Sequence, residues 1–313
     1  MTVLYRKGLH TVGNALSPLA SVSTTRSVME RHGLGTKKAL GQHFLINDGI
    51  VRHICELSGV QSDDEVLEIG PGIGTLTVAL LQKARRVIAV ERDPDLVPIL
   101  NETCAAWRDS LVVLQKDALQ LYPKDMDEQP RSLIANLPYA VAATLVLDCF
   151  QRFESLESAT VMVQAEVADR IAASPGVKDY GAFTVKLGLY AHPVGRFAVS
   201  PGNFFPPPRV NSAVIRLDRI DLGSQSDETI RQATTVMADA AFASRRKTIA
   251  NSSLTYFVAR KGTDAKEELR STLSTVFEEA HIDPRRRGET LSLDEFMTLG
   301  RVAYQHGLVS SLH

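Results

Sequence analysis

Several short stretches carry residue types whose spacing points to chemistry. EIGPGIGTLT (residues 68–77) ends an apolar run with Gly70, Gly72 and Gly74. Glycine tolerates positive φ and lets a ligand approach the backbone, so this is a ligand-facing loop or simply a tight strand-to-helix turn. The spacing G-x-G-x-G departs from the dinucleotide fingerprint and has a proline inside it, so no pyrophosphate cradle is expected. Glu91 closes the run VIAVE, 21 residues after Gly70. An acid there accepts from ribose hydroxyls in doubly wound folds. Asp117 closes a third run, LQKD, where a carboxylate can accept from an exocyclic adenine amine. Each carboxylate would also serve merely to cap the next helix. Three strand ends with suitable groups together imply an adenosine moiety. Without a phosphate cradle, the adenosine cofactor that fits is S-adenosylmethionine.

A fourth apolar run, LIANLPYAV (133–141), stops at Asn136, Leu137, Pro138 and Tyr139. Asn and Pro commonly end strands, so a plain turn is one reading. The other is a pocket. In open α/β sheets ligands bind beyond the carboxyl ends of the strands, so Asn136 is expected to face the same crevice as Gly70, Glu91 and Asp117. An adenine N6 amine is a weak nucleophile because its lone pair is delocalised into the ring. Hydrogen bonds from N6–H to the Asn136 side-chain oxygen and the Leu137 carbonyl would draw the nitrogen toward tetrahedral geometry. Its lone pair would then aim at a sulfonium methyl, through positioning and electrostatics alone. Tyr139 offers a stacking face for a base taken out of its helix, and Pro138 stiffens the bend.

These residues need a scaffold. EVLEIG (65–70), RVIAVE (86–91), LVVLQKD (111–117), SLIANLP (132–138) and ATVMVQ (159–164) are short runs rich in Val, Ile and Leu. Helical-length segments, 74–84, 94–107 and 140–152, lie among them. Unbroken apolar strands alternating with helices indicate a parallel sheet covered on both faces. RFAVSPGNFFPPPRVNSAVIRL (196–217) reads as two strands joined by a Pro-rich loop, an antiparallel addition at the sheet edge. DRIDLGSQSD (218–227) reads as a linker, and the remainder as a small all-α domain.

The ordered motifs resemble those of the bacterial small-subunit ribosomal RNA adenine N6,N6-dimethyltransferases, the KsgA type. Matching pieces are KKALGQHFL (37–45), EIGPGIGTLT, VIAVERD (87–93), QKDAL, ANLPY, VQAEVADRI (163–171), YGAFTV (180–185), FFPPPRVNSAVIRL (204–217), a broken AFASRRKTIANSL (241–254) and RGETLSL (287–293). They span roughly residues 34 to 300 in the family's order. The resemblance implies a Rossmann-like α/β methyltransferase sheet of seven mostly parallel strands, with a C-terminal all-α domain. It implies S-adenosylmethionine at His43, Leu45, Gly70, Glu91, Asp117 and Asn136, and a second stacking wall from Phe204, assisted by Phe205. Two positions depart from the family: His43 stands where Asn is common, and AVAATL follows NLPY where a small polar residue is usual. The implied reaction transfers methyls to N6 of two adjacent adenines in a 3′-terminal hairpin loop of 16S rRNA, on 30S particles during ribosome biogenesis.

Composition bounds the rest. The chain has 313 residues, 44% hydrophobic and 23% charged, and a net charge of −1, so any RNA surface must come from local clustering. SRRKT (244–248), with Arg245, Arg246 and Lys247, and RRR (285–287) are candidate phosphate contacts beside Lys37 and Lys38, or else solvated helix faces. Cys55, Cys104 and Cys149 are scattered with no CxxC pair, which argues against disulfides and zinc and for a reducing cytoplasm. No apolar run approaches a membrane span, the histidines show no metal spacing, and a monomer is expected. Residues 1–29 contain no Asp or Glu and are rich in Ser and Thr. They read as a disordered leader, ahead of a catalytic domain over 30–220 and a helical RNA-binding domain over 221–313. Two rivals remain: a large-subunit rRNA adenine methyltransferase of the macrolide-resistance type, and a non-catalytic assembly factor on the same fold.

Overall fold

The five apolar runs of the sequence become five adjacent strands: β2 (Glu65–Ile69), β3 (Arg86–Glu91), β4 (Leu111–Gln115), β5 (Ser132–Asn136) and β6 (Ser158–Gln164). A computed structural model describes residues 15–34, 42–220 and 228–309. β2 is buried along its whole length, as a strand covered on both faces must be. The seven-stranded sheet has the order β4-β3-β2-β5-β6-β9-β7, with β7 at Ala191–Val199 and β9 at Ser212–Arg219. The first five strands pair in parallel, and β9 joins β6 antiparallel. The Pro-rich segment between β7 and β9 adds an element not foreseen. Phe204–Phe205 (β8) pairs antiparallel with Phe44–Leu45 (β1) as a separate ribbon.

The chain runs outward from β2 through β3 to β4, then returns to set β5 on the other side of β2. That reversal is a topological switch point, where adjacent connections leave in opposite directions and open a crevice. Helices α2 (Asp48–Ser58), α3 (Thr75–Leu81), α4 (Val97–Thr103) and α5 (Ala142–Arg152) cover the sheet. α3 begins directly after Gly74, whose φ of 92° a side chain would strain. The positive φ of Gly70 and Gly72 likewise turns the chain sharply out of β2. Cys55, Cys104 and Cys149 are free and buried, and burial pushes each thiol up to about 12. Among the described residues no helix is long and apolar enough to cross a membrane.

Residues 15–29 differ from the expected disordered leader. Val22–Arg31 form helix α1, capped by Ser21 Oγ accepting from Thr24 N–H. Leu19, Val28 and Met29 are buried in the same core as Phe44 and Leu45. The segment is acid-poor, but it has an apolar stripe and a good cap, and burial of that stripe orders it. Residues 1–14, Lys37 and Lys38 lie outside the described residues.

The division into units also differs from the expected boundary at 220. The chain up to Ala168, with Pro193–Arg219, forms one unit; Asp169–His192 and the chain from Ile220 onward form the other. Helix α6 (Ala165–Ile171) straddles that boundary. Tyr180 explains the second unit's early start: its ring is buried in the helical core and its hydroxyl donates to Leu291 O at 2.8 Å. Lys186, on helix α7 (Ala182–Gly188), pairs with Asp239 at 2.6 Å. Helices α8 (Glu228–Phe242), α9 (Ile249–Lys261), α10 (Lys266–Glu279) and α11 (Leu293–Gln305) enclose a core that includes Met237, Phe257, Phe277 and Phe296. A Cβ on Gly300 would sit 2.5 Å from Thr234 Oγ1, so α8 and α11 pack this closely only because that residue is glycine. Of the expected linker, Asp218 and Arg219 belong to β9, and 221–227 lie outside the described residues.

Candidate active site

Parallel pairing brings the strand ends into line. Gly70 N–H donates to Val90 O at 2.9 Å, Lys116 N–H to Glu91 O at 3.0 Å and Leu137 N–H to Met162 O at 3.1 Å. The chains therefore leave the sheet at one level, around a cavity of about 510 Å³. His43, Leu45, Gly70, Glu91, Asp117 and Asn136 all line it, together with Leu137 and Tyr139. These eight residues come from five separate stretches of sequence.

Glu91 is buried, and its carboxylate is oriented by the backbone. Oε1 accepts from Asp93 N–H at 2.8 Å and Oε2 from Gly72 N–H at 3.3 Å. Burial raises its pKa, while these backbone donors oppose the shift. Each carboxylate oxygen has a second lone-pair direction left for a ligand hydroxyl. At the far end of the cavity Asp117 Oδ1 accepts from Leu119 N–H at 3.1 Å, capping the turn that follows. Its Oδ2 lies 3.5 Å from the Arg92 guanidinium, so this carboxylate has both the capping role and an exposed partner. Gln42 Nε2 donates to Asp93 Oδ2 at 2.9 Å, tying the segment before β1 to the loop after β3.

Asn136 ends β5, directly across the switch point from Gly70. A Cβ built on Gly70 would lie 3.8 Å from Asn136 O and 3.7 Å from Pro138 Cδ, so the glycine permits a close approach of the two loops. The Asn136 amide donates through Nδ2 to His43 O at 3.3 Å. Because a carbonyl can only accept, this bond fixes which end of the amide is nitrogen and leaves Oδ1 for another donor. His43 Nδ1 donates to Pro206 O at 2.8 Å, and its ring stacks on Tyr139 with centroids 5.8 Å apart. The Tyr139 hydroxyl shares a 2.5 Å hydrogen bond with Ser212 Oγ on β9. The phenol ring is thus anchored at its tip, with the His43 ring against one side, and it lines the cavity. Burial raises its pKa, so it stays a neutral hydroxyl.

Phe204 departs from its expected place. It is only 2% exposed, it does not line the cavity, and pairing with Leu45 turns its ring into the core. Side chains alternate along a strand, so its neighbour Phe205 is the half-exposed one. A stacking role for Phe204 requires the ring to turn out of this packing.

Glu68 is a cavity residue that was not singled out from the sequence. Glu68 lies inside β2, 1% exposed, and burial together with the nearby Glu91 charge pushes its carboxyl up to about 8. Its Oε2 has no hydrogen-bond partner among the described residues. An acid in the middle of the strand EVLEI, beyond the Glu65 that opens it, was the available signal.

The basic runs lie in the second unit, and they differ from each other. Arg246 and Lys247 are exposed, with Lys247 Nζ 3.3 Å from Thr255 Oγ1. Arg245 is tied to Lys178 O at 2.7 Å and to Glu289 at 3.2 Å. In 285–287 every arginine meets a carboxylate: Arg285 with Asp283, Arg286 with Glu295, and Arg287 with Glu289. The 285–287 run is therefore largely neutralised within the fold.

The description "Ribosomal RNA adenine dimethylase" belongs to a family model that matches residues 33–298. A protein of Mycobacterium bovis named ribosomal RNA small subunit methyltransferase A is 42% identical over 270 residues, covering 85% of this chain and 82% of its own. One of the same name from Mycobacterium sp. (strain KMS) is 43% identical over 269 residues, covering 84% and 88%. Among solved structures, a dimethyladenosine transferase from Plasmodium falciparum shares the fold with a TM-score of 0.71 at 24% identity, covering 85% of this chain and 98% of that one.

Proposed function

Since the chain belongs to the ribosomal RNA adenine dimethylase family, we propose that it uses S-adenosylmethionine to dimethylate N6 of two adjacent adenines in a 3′-terminal hairpin loop of 16S rRNA. The substrate we assign is the 30S particle in the cytoplasm, met by a monomer during ribosome biogenesis. The observation that carries this reading is the Asn136 amide. It stands across the switch point from the glycine loop, held by the His43 carbonyl, and its own oxygen has no hydrogen-bond donor among the described residues.

The residues present fit the cofactor. Glu91, already oriented by two backbone donors, accepts from the ribose hydroxyls. Asp117 accepts at the adenine edge, and the glycine loop lets the methionine end lie against backbone. His43 and Leu45 border that end, and Glu68, whose buried Oε2 has no hydrogen-bond partner among the described residues, lines the same cavity. When bound, the cofactor supplies an electrophilic methyl on a sulfonium.

The protein's own work is then positional. Asn136 Oδ1 and the Leu137 carbonyl accept from N6–H of the target adenine and localise its lone pair. Tyr139, fixed by Ser212, supplies the face against which the extruded base stacks, with Phe204 as the opposite wall once its ring turns out. Leu137 N–H is committed to Met162 O, which fixes the peptide before Leu137, and Pro138 stiffens the one that presents its carbonyl. Arg245, Arg246 and Lys247 contact phosphates, most strongly through Arg246 and Lys247, which meet no carboxylate among the described residues.

The test is methyl transfer to 30S and 50S subunits, each purified from cells lacking the protein, followed by mass spectrometry of the 16S and 23S rRNA digests. Two adjacent dimethyladenosines in 16S rRNA are expected. Modification confined to 23S rRNA would instead establish the macrolide-resistance type, and binding without transfer would establish an assembly factor.

A further inference from the structure

Helix α1 is fixed to the catalytic unit at both ends. Before it, Leu16 N–H and Ser17 N–H donate to the two Asp48 carboxylate oxygens at 3.2 and 2.6 Å, and Gln82 Nε2 donates to Leu16 O at 2.6 Å. At its end Arg31 and His32 each meet Glu102 at 2.9 Å. Between these ties, Val28 and Met29 are buried and the opposite face is exposed. Arg26 stands on that exposed face, with its guanidinium 5.5 Å from the centroid of the Phe205 ring. Among the described residues no carboxylate pairs with it, and the first turn of α1 holds no acid. A cation that served only to neutralise a neighbour would have one.

From Phe205 an unbroken line of contacts leads to the reacting centre. The next residue, Pro206, receives the His43 ring nitrogen; that ring stacks on Tyr139; and the His43 carbonyl holds the Asn136 amide. The β1–β8 ribbon therefore borders the place where a base would stack on Tyr139. A guanidinium held against an aromatic ring keeps N–H donors free on its far edge, in the fork geometry that matches phosphate oxygens. We propose that Arg26, seated on Phe205, binds a backbone phosphate of the RNA strand flanking the target adenine. This makes α1 part of the substrate site, and it rests on the reading of the cavity as an rRNA adenine methyltransferase site.

The test uses the full-length protein, undermethylated 30S particles and a series of KCl concentrations. Arg26→Ala should weaken particle binding by roughly three- to tenfold and flatten the slope of log K against log salt by about 0.7–0.9, the value of one phosphate contact. KM for the particle should rise in step, while the Kd for S-adenosylmethionine and the melting temperature stay at wild-type values. Arg26→Lys, which keeps the charge, should retain most of the slope. A wild-type slope in Arg26→Ala overturns the proposal; if the melting temperature has also fallen, Arg26 only packs on Phe205. Wild-type protein that binds but transfers no methyl would count against the functional reading instead, because the salt slope is read from binding alone.

Discussion

Replacing Glu68 by Gln tests whether the catalytic cavity is built around a protonated acid. Glu68 is 1% exposed, and its carboxyl is pushed up from about 4.5 to about 8, chiefly by burial. Below the lower value the group is protonated in both folded and unfolded chains and favours neither. Between the two values the unfolded chain ionises while the folded one keeps its proton, so stability falls as pH rises. One pKa unit corresponds to about 1.4 kcal/mol, so the full window costs at most about 5 kcal/mol, reached above pH 8. Gln has the same shape and no proton to lose. Urea unfolding of both proteins should therefore give similar stabilities near pH 5, with Glu68→Gln pulling ahead by a few kcal/mol at pH 8.5. Parallel curves across that range would show that Glu68 is ionised in the folded protein, and the account of a neutral acid beside Glu91 would fail.

Other outcomes follow from the same geometry. Asn136→Ala should leave cofactor affinity within several-fold but slow single-turnover methylation of 30S particles by ~10²–10³, the scale of one preorganised hydrogen bond; an unchanged rate would refute its role. Glu91→Ala should weaken S-adenosylmethionine by roughly tenfold or more in calorimetric titration, since charge-assisted hydrogen bonds contribute ~1.5–3 kcal/mol each. Glu91→Gln separates that charge from the support Glu91 gives to Gly72 and Asp93, and should recover part of the affinity. Neutralising Arg246 and Lys247 together should flatten the salt dependence of particle binding by up to about two. Adding a neutral residue at position 245 should change it less, because Arg245 already meets Glu289.

Much of the catalytic unit was legible in the linear chain because its chemistry sits at strand ends. A strand buried on both faces is apolar throughout, so the polar residue that closes it stands out, as Glu91, Asp117 and Asn136 do. Parallel pairing then aligns those ends without further information, and all three line one cavity. The glycine loop was readable for the same local reason, since positive φ is written in residue type. Glu68 was harder to read, because a protonated acid in a strand behaves as a core residue and only its burial reveals it.

Composition misled where tertiary packing overrode it. The Ser- and Thr-rich segment before Met29 lacks acidic residues, yet a short apolar stripe docks it on the core as α1. The sequence alone determined the order of strands and helices, and the carboxylates Glu91 and Asp117 and the amide Asn136 that line the cavity. Only the tertiary structure decided that Asp169–His192 belongs with the helical unit, through contacts such as Tyr180 with Leu291 more than a hundred residues away. It also decided that Phe204 faces inward and Phe205 outward, and which arginines keep a free charge. Such outcomes depend on partners distant in sequence, and neither periodicity nor local propensity encodes which distant group will be there.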